Sequence, residues 1–100
     1  MIIGYFDNND CDFAIEVKPE YKEQVKKFIL EGISAWYGAA HTEIEPTEHF
    51  TVDDIESFYG SGYAEPTEEL LTKHNIDFKL IDLIYDNDGE LITHVDECIY

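Results

Sequence analysis

His94, Asp96 and Cys98 alternate along one short stretch and are the residue types of a nucleophilic triad. On a strand the three side chains share a face, but positions i and i+4 stand about 13 Å apart. A thiolate must come within ~3 Å of its base, so the row reads as a mixed polar sheet face. His41, Glu43, Glu48 and His49 fall in one loop, where imidazoles and carboxylates can serve a divalent cation. Their spacing matches no zinc signature, so a solvated acidic loop is the first reading. A small metal- or ligand-binding protein with His41, Glu43 and His49 as ligands is the competing one.

Two further motifs have simpler explanations. Asp86-Asn87-Asp88-Gly89-Glu90 has the composition of a calcium loop, yet placing Gly89 at the loop's obligatory glycine puts Ile84 and Val95 at its two ends, neither with an oxygen side chain. A hairpin turn accounts for all five residues. Gly60-Ser61-Gly62-Tyr63 lacks the lysine and hydroxyl of a phosphate-binding loop and lies in an acidic segment, so it is read as a flexible join between helices. No catalytic residue and no cofactor is expected, and the chain is not read as an enzyme.

Charge is the feature that departs most from ordinary domains. The 100 residues carry 23 acidic and 6 basic side chains, a net charge of -17, and every basic residue is a lysine. Residues 28 to 72 hold ten acids and no base. A folded chain of this length spans roughly 33 Å, and duplex DNA of that length carries about 19 phosphate charges. Direct binding to nucleic acid is therefore excluded, and a basic protein surface is the natural partner class. In this composition the chain is similar to the small acidic inhibitors and DNA mimics encoded by phages and mobile elements. That resemblance implies a non-catalytic acidic interaction domain covering a basic surface of a nucleic-acid-binding protein. Glu43, Glu45, Glu48, Asp53, Asp54 and Glu56 would stand in for phosphates, with Tyr59 and Tyr63 adding packing. The plain alternative is a soluble acidic protein whose charge only prevents aggregation.

An apolar fraction of 44% with 14% aromatics is enough to fold one domain, here taken as residues 1–100. No apolar run is long enough to cross a membrane, and Met1-Ile2-Ile3-Gly4 lacks the flank of a signal peptide. A cytoplasmic location is expected, with Cys11 and Cys98 as thiols.

Ile2 to Phe6 and Asp12 to Val17 read as a hairpin about the turn formers Asp7-Asn8-Asn9-Asp10. Val25, Phe28, Ile29, Gly32, Ile33 and Trp36 recur at helical spacing after Pro19, predicting a helix from 19 to 37 that stops at Gly38. Thr51 with Asp54 caps a helix to Tyr59 whose inward residues are Val52, Ile55, Phe58 and Tyr59, and Pro66 starts another that ends near Asn75. Glu-Pro-Thr-Glu thus occurs twice, at 45–48 and 65–68, and the second copy is a helix start with Glu68 and Glu69 near the positive end of the dipole. Ile76 to Tyr85 is apolar on both faces, as in a central strand, and returns through Asp86–Gly89 into a strand from 90 to 99. The order β-β-α-α-α-β-β predicts an α+β fold: a four-stranded, mainly antiparallel sheet with helices on one face.

Overall fold

A computed structural model describes residues 1–7 and 11–100. The fold is α+β, and the chain forms two compact units. The first joins Met1–Lys26 to Ile76–Tyr100, and the second is Lys27–Asn75. No helix among the described residues is long and apolar enough to cross a membrane.

The first unit is built on a four-stranded, mostly antiparallel sheet. Its strands are β1 (Ile2–Tyr5), β2 (Phe13–Glu16), β3 (Lys79–Ile81) and β4 (Glu97–Ile99), in the order β3-β2-β1-β4. β1 and β2 pair antiparallel with Ile3 opposite Ile15, forming the expected hairpin. Asn8, Asn9 and Asp10 of its turn lie outside the described residues, and the Asp7 N–H closes toward the turn by donating to Asp12 Oδ1 at 2.7 Å. Ile3, Phe13, Ala14 and Ile15 are buried, which makes β1 and β2 the central strands.

Two sequence expectations fail here. The apolar run Ile76–Tyr85 is not a central strand: only Lys79–Ile81 joins the sheet, on the outer side of β2, and Leu80 is 45% exposed. Apolar residues on both faces do mark a doubly covered strand, but Asp77 and Asp82 bracket this one and the chain leaves the sheet after Ile81. The Asp86–Gly89 turn does form a hairpin, with Tyr85 opposite Leu91 and Asp86 Oδ1 accepting from the N–H groups of Asp88 and Glu90. The returning chain then abandons β3 and lies parallel to β1 at the opposite edge, with Gly4 opposite Cys98. Asp96 docks it there: its carboxylate accepts the Ile2 N–H at 2.7 Å, and its own N–H donates to the Ile2 carbonyl at 2.8 Å. Lys22 holds the next residue, Glu97, at 2.5 Å. Cys11 is buried and Cys98 exposed, each as a thiol.

A 3-10 turn at Pro19–Tyr21 leads into α1 (Lys22–His41), which passes from the first unit to the second after Lys26. The helix does not stop at Gly38. It continues to His41 and ends where Thr42 adopts φ 58°, with the Glu43 N–H donating to the Gly38 carbonyl, a Schellman closure without the usual glycine. Gly38 serves close approach instead, because a Cβ there would stand 3.3 Å from the Glu43 carbonyl oxygen.

In the second unit α2 (Val52–Glu56) starts with the predicted capping box of Thr51 and Asp54. α3 (Glu65–Lys73) is followed by Asn75 at φ 57°, the expected left-handed residue. Ile55 and Phe58 are buried as expected, but Val52 and Tyr59 are not, and Tyr59 is 73% exposed. From Phe58 onward the backbone bonds reach three residues back, and that tighter winding turns Tyr59 outward. α1 and α3 come into close contact at Gly32 and Thr67, where a Cβ on Gly32 would lie 2.3 Å from Thr67 Oγ1 and 2.8 Å from its backbone nitrogen.

Candidate functional site

The six acids singled out from the sequence all belong to the second unit, and all are exposed: Glu43, Glu45, Glu48, Asp53, Asp54 and Glu56. The long loop and the short helix α2 present them, the loop burying Phe50 and the helix Ile55. The ion pairs that lysine makes among the described residues, Lys22 and Lys26 with Glu97, are confined to the first unit. Asp54 differs from the other five. Its carboxylate accepts the Thr51 N–H at 2.8 Å, and this bond together with the Thr51 hydroxyl and the charge of Lys73 holds its carboxyl below the ordinary range. Tyr59 is open to solvent, whereas Tyr63 is half-buried, its ring nearly perpendicular to that of Trp36 with the centroids 6.1 Å apart. The glycine join beside it is pinned, since the Trp36 indole donates to the Ser61 carbonyl at 2.9 Å.

The candidate ligands His41, Glu43 and His49 do not gather into a donor group. His41 stacks on Tyr37 with the ring planes 6° apart. His49 instead meets Glu31 and Glu48, and one donor atom of each of these three residues lies within 4.8 Å of the others. Glu31 is the residue the sequence reading passed over. It projects from α1, its side chain only 13% exposed, and fastens the loop that follows. Its Oε2 accepts from the Thr47 hydroxyl at 2.5 Å and the His49 N–H at 2.8 Å, while Oε1 faces His49 Nδ1 at 2.7 Å. Burial pushes the Glu31 carboxyl up, but the bonds from Thr47 and His49 outweigh it and keep it below the ordinary value. The only hint in the sequence was its register: Glu31 follows Phe28 by three and precedes Ala35 by four, so it borders the buried stripe of α1.

Phe28 and His74 wall the imidazole. Phe28 meets His49 edge-on at 5.4 Å, and the His74 ring stands 5.2 Å from that of His49. In the other unit His94 Nε2 pairs with Asp96 Oδ1 at 2.8 Å, in the open, with the second oxygen of Asp96 committed to the Ile2 N–H. That pair secures a chain segment and leaves Asp96 unsuited to orient a base. Comparison with protein-family models, with curated proteins and with solved structures finds no match to this chain.

Proposed function

We propose that this protein is a non-catalytic acidic interaction domain that covers a basic protein surface, as an inhibitor or nucleic-acid mimic acting on a nucleic-acid-binding protein. The observation that carries the reading is the state of the acids at positions 43 to 56. They are exposed, they occur in a run of 45 residues with no lysine or arginine, and no lysine ion pair reaches them among the described residues. Carboxylates left in this condition repel one another and gain most from an external cationic surface. Glu43, Glu45, Glu48, Asp53 and Glu56 are the contact residues, with the exposed Tyr59 as the apolar anchor and the half-buried Tyr63 adding packing.

The test is capture of partners on the tagged full chain at low ionic strength, followed by elution with rising salt. The expected result is retention of a basic nucleic-acid-binding protein that elutes early in the gradient, and its loss when the five free acids are changed to Gln or Asn. Asp54 is kept in that variant, because its neutralisation would also loosen the α2 cap. Undiminished capture by the neutralised chain would sink the proposal.

A further inference from the structure

The acidic surface does not explain why two carboxylates and an imidazole converge on one point in the second unit. Glu31 and His49 alone make a sufficient fastening for the loop, yet Glu48 brings a second carboxylate to within 4.8 Å of both. In a chain of net charge -17 that approach is unfavourable unless a cation offsets it. We propose that Glu31, Glu48 and His49 form a binding site for a divalent transition cation of the Zn2+ or Mn2+ type.

The donor set defines the class of ion. Nitrogen and carboxylate oxygen without a thiolate suit borderline cations and disfavour Cu+. The distances suit as well: two bonds of ~2.1 Å at a tetrahedral angle set their donors ~3.4 Å apart. The observed spacing runs from 2.7 Å, between Glu31 Oε1 and His49 Nδ1, up to the 4.8 Å limit. Small side-chain rotations therefore convert the fastening into a site.

Outer contacts for such a site are already in place. Thr47 and the His49 N–H both bond Glu31 Oε2, which fixes the carboxylate and leaves Oε1 for the ion. The imidazole takes part through Nδ1, the ring nitrogen that faces Glu31 Oε1 at 2.7 Å. Glu48 is exposed and closes the site from the solvent side, with water completing the coordination. One consequence is local: the ion would order the loop that presents Glu43, Glu45 and Glu48.

Co2+ is the probe, titrated into the purified full chain and read by its visible absorption. One Co2+ per chain, displaced by equimolar Zn2+ and unaffected by excess Mg2+, is the expected result. Glu48→Gln, a change at the surface, should weaken uptake about tenfold or more. His49→Gln should abolish it, with circular dichroism confirming that both variants fold. Uptake that does not saturate, that Mg2+ competes away, or that survives both substitutions would show diffuse binding to the acidic surface and overturn the site. Running the partner capture in chelator keeps the two proposals separate, because the acids at positions 43 to 56 are exposed without an ion and capture there depends on them alone.

Discussion

Thr47 and Thr67 occupy the same place in two copies of Glu-Pro-Thr-Glu, and their hydroxyls meet opposite fates. In the first copy Glu45, Pro46 and Glu48 are exposed, and the Thr47 hydroxyl donates to Glu31 and accepts the Phe50 N–H. In the second, Pro66 and Thr67 are fully buried at the start of α3, and the Thr67 hydroxyl has no hydrogen-bond partner among the described residues. The identical tetrapeptide is an adhesive loop in one setting and a helix start in the other. What separates them is what lies opposite: an acid of α1 for Thr47, and Gly32, a glycine of α1, for Thr67. A polar hydroxyl is tolerated without a partner when the close approach it permits contributes more than the lost bond costs.

The largest effect should come from closing that approach. Gly32→Ala would favour α1 by ~1 kcal/mol on helix propensity alone. The new methyl, however, would sit 2.8 Å from the Thr67 backbone nitrogen, which has no rotamer to retreat to. Overpacking of this kind costs about 1–3 kcal/mol or more, so the variant should melt lower despite the better helix former. A higher melting temperature would mean that α1 and α3 are less closely packed than described.

The two threonines themselves should respond with opposite sign. Thr47→Val removes a bond to an ionised acid and strands the Phe50 N–H, a loss of about 2 kcal/mol. Thr67→Val keeps the shape and removes an unsatisfied buried oxygen, a gain of about 1 kcal/mol. Thermal unfolding of the pair decides the matter, and shifts of the same sign would remove the distinction between the two copies.

The same contrast explains what was legible in the chain. Features written within a few residues read correctly: the apolar period of α1, the Thr51 and Asp54 cap, the left-handed Asn75 and the Asp86–Gly89 turn. Features that depend on a distant partner did not. The place of β4 rests on Asp96 meeting Ile2, 94 positions away, and no local pattern distinguishes that from a return beside β3. Gly38 looked like a stop because glycine usually is one, while its role is to admit the Glu43 carbonyl. For the candidate donor group, the loop half was visible in Glu48 and His49, whereas Glu31 lay on a helix 18 positions before its imidazole partner.

Glu68, at the end of the second copy, sets a local rule against a tertiary one. As an acid in the first turn of α3 it should be stabilised in its charged form by the helix dipole. Burial, followed by the nearby charge of Glu65, acts the other way and raises its carboxyl above the ordinary value. A raised value in the folded state contributes stability that is present below the unfolded value, ~4.3 for Glu, and is lost as pH rises through the folded one. At pH 7 the fold therefore carries a charge that it disfavours, and Glu68→Gln should raise the melting temperature. The gain is only about 0.3 kcal/mol, since a half-exposed carboxylate is well screened. It should shrink as the pH falls below ~4, where the wild-type side chain is also neutral. A variant less stable at pH 7 would show that the dipole outweighs burial, and the helix-start reading of this copy would then hold for its charge as well as for its proline.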